Sequence, residues 1–233
     1  MCIRDSFFGI IEHKRPLFFP FFSATYPFGK HIVFQQIDLM RPTFDPQDNI
    51  NGIISNGGSA ANVIPASADC EFCIRADTMK RIEGLIDVIK LCVRNAEQLT
   101  GAKADISWGE ISAERYPNRP MCQAFKDNME TLGIEMKWPD PKAQYGSSDI
   151  GNVSIKIPAI HDYLSITDDK TIQAHTKEYA DAAKSEEAQE ICLKGAKGLA
   201  MTGYDILSSD EFQAEIRRFH EQQIPDFYKK KKS

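Results

Sequence analysis

Residues 68–75 alternate apolar and polar without a break. Cys70, Phe72 and Ile74 share one face; Asp69, Glu71, Cys73 and Arg75 share the other. Strict period two is the signature of a half-buried strand, because successive side chains point to opposite sides of a sheet. Downstream, Ile82, Leu85, Ile86, Ile89, Cys92, Val93, Ala96 and Leu99 recur at helical spacing, and Gly101 closes that helix. Lys103 to Trp108 alternates again, with Ala104, Ile106 and Trp108 on one side. Upstream, Lys30 to Arg41 reads as a helix stopped by Pro42, and Asn51 to Ser55 as a short apolar strand. Asn56-Gly57-Gly58 is a turn signal, and Val63-Ile64 ends at Pro65. With a first strand from the Phe-rich opening segment, the order is a split β-α-β arrangement over about residues 7–110. It predicts an antiparallel sheet with both helices on one face and the other face open.

The second half follows a different pattern. Asn118 and Pro120 start a helix carrying Met121, Phe125, Met129 and Leu132, ended by Gly133. Residues 134–138 read as a strand and Pro158 to Ile166 as a buried strand. Ser185 caps a long helix, with Glu186 and Glu187 at its positive end. Gly195, Gly198 and Gly203 are costly in that helix unless it packs closely against a sheet. Ser208 and Glu211 read as a capping box for a last helix bearing Phe212, Ile216 and Phe219. This half has too few strands for a complete α/β sheet, so it is expected to be one flank of a larger domain.

Charge and composition narrow the class. The 233 residues carry 28 Lys plus Arg against 33 Asp plus Glu, a net charge of -5. That balance argues against general nucleic-acid binding, which needs a basic footprint. Hydrophobic residues make up 42%, enough for a core, and no window approaches a membrane span. The six cysteines are scattered and no export signal precedes them, so reduced thiols in the cytoplasm are expected. Cys70 and Cys73 lack the second pair that a structural zinc site requires, and on a strand they face opposite ways. Met1 to Ser6 reads as a spurious prefix, and the four lysines Lys229 to Lys232 as a solvated end.

Three stretches are able to carry chemistry. In Asn56 to Pro65, a glycine turn brings Asn62 forward, and Arg75 follows on the polar face of the next strand. An Asn and an Arg on an open sheet face suit a carboxylate, which Arg binds bidentately; a plain turn and a solvated Arg are the alternative. Tyr145 to Asn152 is neither a phosphate-binding loop nor a nucleophile elbow. His161 and His175 have no metal-type partner at short spacing, and His175-Thr176 lies in a polar loop that suits a site residue.

Five segments then occur in one order: NGGSAANVIPASADCEFCIR (56–75), GSSDIGNVS (146–154), PAIH (158–161), AHTKEYADAA (174–183) and SEEAQEICLKGAKGLAMTGYDIL (185–207). Together they resemble the co-catalytic zinc metallopeptidases of the aminoacylase, carboxypeptidase G and p-aminobenzoyl-glutamate hydrolase superfamily. The closest branch is that of amidohydrolases and dipeptidases similar to the aminoacylase-like β-alanyl-lysine dipeptidase. The resemblance covers about Ser23 to Ile216. It implies an α/β fold: a ferredoxin-like α+β lid that also dimerises, followed by the C-terminal part of a zinc-peptidase catalytic domain. Residues 23–112 would be the lid, 113–221 the catalytic part and 222–233 a basic tail, with 1–22 outside the pattern. By resemblance, Asn62 and Arg75 hold a substrate carboxylate, Gly146, Ser147 and Asp149 line the cleft, and His175 is the last metal ligand.

The departures matter as much. Where this branch has a His before the Gly-Ile-Ile of the lid strand, the chain has Asn51. The family's other ligands and its Glu base precede the lid. Two metals about 3.5–4 Å apart need several carboxylates and imidazoles, and His175 alone does not make that cage. The expectation is therefore a truncated amidohydrolase, inactive alone, whose complete form uses two zinc ions on a dipeptide or N-acyl amino acid. A homodimer through the lid is expected, without nucleic acid or membrane. The alternative is a non-catalytic dimerisation or regulatory module of the same fold.

Overall fold

The computed structural model describes residues 6–7, 17–18, 20–24, 28–60, 62–139 and 148–229. In chain order the elements begin with β1 (Ser6–Phe7), β2 (Leu17–Phe18), β3 (Pro20–Ala24), α1 (Phe28–Met40), β4 (Asn49–Asn56), β5 (Ala68–Arg75) and α2 (Met79–Thr100). They continue with β6 (Ala104–Trp108), α3 (Arg119–Thr131), β7 (Met136–Lys137), α4 (Ile150–Ser154) and α5 (Lys177–Ala182). Three helices close the chain: α6 (Glu186–Ser208), α7 (Asp210–Gln223) and α8 (Asp226–Lys229). The described residues fall into two compact units. A sheet unit lies within His13–Glu114 and Tyr145–Asn152; a helical unit lies within Met1–Glu12, Arg115–Gln144 and Val153–Ser233.

In the sheet unit the alternating segment becomes the central strand. β5 pairs antiparallel with β4 on one side, Ile50 opposite Ile74 and Gly52 opposite Phe72. On its other side it pairs with β3, Phe22 opposite Cys70, and with β2, Phe18 opposite Ile74. β6 pairs antiparallel with β3, Phe22 opposite Ile106. The order β4-β5-β3-β6 is that of a split β-α-β fold, and the Phe-rich opening supplies its first strand. The apolar face of β5 meets both helices: Val33 and Ile37 of α1 and Ile82, Leu85, Ile89, Cys92, Val93 and Ala96 of α2 join Ile50, Cys70, Phe72 and Ile74 in one core.

Gly52 is required there. A Cβ at that point would sit 2.6 Å from the Phe72 ring, and that ring already lies 4.7 Å from Phe34. Both ends of α2 are as its sequence dictates. Thr78 Oγ1 accepts from Arg81 N, and Gly101 turns left-handed at φ 71, where other residues are strained.

The helical unit departs further from expectation. α3 starts on Asn118, whose Oδ1 accepts from Met121 N, and contributes Cys122, Phe125 and Met129 to a core with Ile134, Met136 and Ile191. Among the described residues, Gly198 of α6 serves the close approach of a helix. A Cβ on Gly198 would lie 2.4 Å from Met129 Sδ and 3.1 Å from Phe125, both on α3. A Cβ on Gly195 would lie 2.7 Å from Leu164, and Gly203 meets nothing within 4 Å. Small residues let two helix axes approach, and α3 is the surface offered.

No strand forms at Pro158–Ile166. An apolar run alone does not separate a strand from a packed irregular segment, and this one finds no ladder among the described residues. It is tied instead by Asn118 N donating to Ala159 O at 2.8 Å. β7 pairs in parallel with β1, Ser6 opposite Met136. The last cap shifts by one residue: Ser209 Oγ, rather than Ser208, accepts from Phe212 N at 3.1 Å, because α6 runs on through Ser208. No helix among the described residues is long and apolar enough to cross a membrane. Lys230 to Ser233 lie outside the described residues.

Candidate functional site

Asn62 rides on the connection between β4 and β5, and the anchor of that connection is Asn56. Its Nδ2 donates to Asp69 Oδ2 at 3.0 Å, its Oδ1 accepts from Gly58 N at 3.1 Å, and its carbonyl accepts from Lys30 Nζ at 3.2 Å. Lys30 is only 4% exposed, so this bond replaces the water its ammonium loses on burial. Gly58 stands at φ 112, and a Cβ there would lie 2.3 Å from Pro65 Cγ. Both the backbone angle and the space demand glycine. Beyond these fixings Asn62, Val63 and Ile64 are exposed.

Arg75 ends β5, opposite Leu17 and Asn49, on the sheet face that no helix covers. It shares that face with Asp69, Glu71 and Cys73, and Asn51 stands opposite Cys73. Arg75 is exposed, and its guanidinium makes no hydrogen bond or ion pair among the described residues. An uncommitted bidentate donor on a polar face is chemically able to take a carboxylate.

Asp149 belongs to the same unit. It is exposed and accepts from Ser148 Oγ at 3.3 Å. Gly151 N donates to Ser148 O, and Asn152 N to Asp149 O, forming a tight turn. Gly146 and Ser147 lie outside the described residues. No hydrogen bond or ion pair among the described residues links Asn62, Arg75 and Asp149.

His175 belongs to the helical unit. It is exposed and stands at φ 67, the one non-glycine residue with positive φ among those described. Such a backbone costs about 1 kcal/mol or more and collects at functional positions. Thr176 fixes the turn: its Oγ1 donates to Gln173 O at 2.7 Å and accepts from Tyr179 N, capping α5. His161 is half-buried instead, stacked 5.0 Å from Tyr163, whose hydroxyl accepts from Arg115 Nη1 at 3.1 Å.

No group of three or more His, Cys, Asp or Glu side chains able to hold a metal ion gathers among the described residues. His175 is thus without co-ligands there, and these side chains do not by themselves fit a pair of ions. The buried thiols are poor nucleophiles, because burial disfavours the thiolate. Burial pushes Cys70 up to about 11 and holds Cys92 and Cys122 above the usual thiol range, Asp162 adding to the effect at Cys122. Sequence patterns missed the supports, Lys30, Asn56, Asp69 and Asn152. Only Asn56 and Asn152 carry a signal, an Asn beside glycine, which is common in turns that carry no site.

Comparison with known proteins now bears on this geometry. No family model matches the chain. Over 193 residues it is 34% identical to the Xaa-Arg dipeptidase of Mus musculus, covering 80% of this chain and 44% of that protein. Over 205 residues it is 33% identical to the Xaa-Arg dipeptidase of Homo sapiens, covering 84% of this chain and 47% of that one. The chain belongs to the M20 superfamily of peptidases and amidohydrolases. It spans about half the length of the curated relatives it matches.

Solved structures share the fold. A Bacillus subtilis protein, described as a dinuclear metal-binding peptidase of the M20 family, matches with TM-score 0.59 at 13% identity. The match covers 90% of this chain and 53% of that one. A structure from methicillin-resistant Staphylococcus aureus matches with TM-score 0.61 at 13% identity, over 88% and 56%. The α/β class with a split β-α-β lid is therefore the M20 arrangement.

Proposed function

We propose that the chain supplies the lid and the C-terminal part of a metal-dependent dipeptidase or amidohydrolase. Its substrate is a dipeptide or N-acyl amino acid with a free carboxylate, and the chain alone does not turn it over. The observation that carries this reading is the 33–34% identity to two Xaa-Arg dipeptidases over some 200 residues. The relatives' name favours an arginine on the carboxylate side of the scissile bond. Arg75, exposed and uncommitted, and Asn62 are the residues for that carboxylate, with Asp149, Gly146 and Ser147 on the cleft loop. His175 is the ligand this chain contributes to a two-zinc centre of the longer protein. The assembly is a cytoplasmic homodimer through the sheet unit, whose edge strand β4 leaves Ile53 62% exposed.

The test is an amide-hydrolysis assay of the purified chain with zinc and alanyl-arginine. No release above the protein-free rate is expected; clear turnover would sink the claim of inactivity. Titrating alanyl-arginine against the chain by NMR checks the binding residues, and Arg75→Ala should weaken binding about tenfold, the weight of a charge-assisted hydrogen bond.

A second reading, a dimerisation or regulatory module without catalysis, is favoured by the lack of a metal-ligand cluster among the described residues. Mixing the chain with the portion of the human relative outside the match separates the two. Restored hydrolysis supports the first reading, and its absence the second.

A further inference from the structure

The turn bearing Ser148 and Asp149 is held in the sheet unit by the side chain of Asn152, which bonds backbone 39 and 41 residues earlier in the chain. Asn152 Oδ1 accepts from Ala113 N at 2.7 Å, and Asn152 Nδ2 donates to Ile111 O at 2.9 Å. A single planar amide thus pairs with two backbone groups of residues 111–113 as a neighbouring strand would. Next to it, Gly151 is pressed against the same segment: a Cβ would lie 1.9 Å from Ala113 O and 2.7 Å from its carbonyl carbon. These are backbone atoms and do not move aside as a side-chain tip does. Ile111 and Ala113 follow β6, and Glu114 beside them accepts from Met79 N at 2.9 Å, at the start of α2. The turn is therefore registered to the lid sheet and its second helix.

We propose that Asn152 is the positioning residue of the Ser148–Asp149 turn, with Gly151 as the contact that makes its amide reach. The inference deepens the proposed function, on which its ligand arm rests: Asn152 touches no substrate, but sets where Asp149 stands relative to the lid that carries Arg75 and Asn62. It predicts that the turn follows the lid.

The experiment measures backbone amide protection by hydrogen exchange and alanyl-arginine binding by NMR in the wild-type chain, Asn152→Ala and Asn152→Asp. In Asn152→Ala, protection at Ala113 and over 149–152 should fall about tenfold, the net weight of one to two hydrogen bonds. The β4–β5 ladder should keep its protection. Asn152→Asp supplies a readout that mere space-filling would not move. Its carboxylate still accepts from Ala113 N but repels Ile111 O; once protonated, its O–H donates to Ile111 O as the amide did. The neutral form fits the folded turn, so the folded pKa lies above the usual carboxylate value of about 3.9. Protection should be present below that range and lost as pH rises through the folded pKa. Asp149 and Glu114 are the ionisable neighbours; both are unchanged in all three proteins, and the wild-type titration is the reference. Unaltered protection in Asn152→Ala, or no acid recovery in Asn152→Asp, overturns the proposal. So does equal dipeptide affinity in wild type and Asn152→Ala. If wild type binds no dipeptide, the proposed function fails while exchange still decides the positioning role.

Discussion

The two units reach a folded core by different routes. In the sheet unit, alternation along β5 sorts apolar from polar side chains before any packing occurs. Its helices cover one face, and the other is left to Asp69, Glu71, Cys73 and Arg75. In the helical unit, α6 buries Ile191, Gly195 and Gly198 while Leu193, Leu199, Tyr204 and Leu207 remain 55–82% exposed. A strand's two faces are written into a period of two. A helix with apolar residues all round names no face, and its partners choose one. The sheet unit is thus locally specified, and the helical unit is specified by what lies against it.

Removing the ring at the centre of the sheet unit should have the largest effect. Phe72→Ala deletes a 1% exposed side chain and should cost about 3–5 kcal/mol, read by urea unfolding followed at Trp108. Following the same variant at Trp138, in the helical unit, tests the comparison: equal shifts at both tryptophans would erase the distinction.

The glycines of α6 give the next largest contrast. Gly198→Ala drives a Cβ into Met129 and should destabilise by about 1–3 kcal/mol. Gly203→Ala, with open space around it, should stabilise by up to about 1 kcal/mol from helix propensity. Two effects of the same sign in thermal melts would mean that α6 packs on α3 otherwise than described.

Alkaline titration sharpens the picture further. Cys70 is raised from 9.0 to about 11 in the folded state, so the unfolded chain gives up its proton first. The contribution of the buried neutral thiol is whole below pH 9 and is lost as pH rises through about 11. Stability should fall across that window, and Cys70→Ala should flatten the fall. Thiol labelling at neutral pH should meanwhile reach exposed Cys192 before Cys70, Cys92 or Cys122.

The smallest effect lies in a loop of the helical unit. Thr171 Oγ1 and N both donate to Asp169 Oδ1 and hold that carboxyl below its usual range. Thr171→Val should move it upward, by NMR titration, without changing the melting temperature.

Much of the sheet unit is visible in its residues. The strand at 68–75 and the stop at Gly101 follow from spacing and from glycine's freedom at positive φ. Asn62 and Arg75 stand out because a polar face beside a glycine turn is unusual chemistry for a core. Asn56, Lys30 and Asn152 do not stand out. Each meets a partner well removed along the chain, Asp69 for Asn56, the Asn56 carbonyl for Lys30 and residues 111–113 for Asn152, and an isolated amide or ammonium is ordinarily solvated. The strand expected at Pro158–Ile166 fails for the converse reason: an apolar run records that something will cover it, not what.

By itself the sequence determined the split β-α-β unit and the long helices of the second half, because period, caps and turns act over a few residues. It also carried the M20 resemblance in five ordered segments. Tertiary structure alone decided that α6 lies on α3, that His175 takes a left-handed backbone, and that the Ser148–Asp149 turn is pinned to residues 111–113. The first and last depend on contacts between residues distant along the chain, where the closeness of a Cβ to Met129 Sδ or to Ala113 O selects the arrangement; the His175 turn is held by its neighbour Thr176.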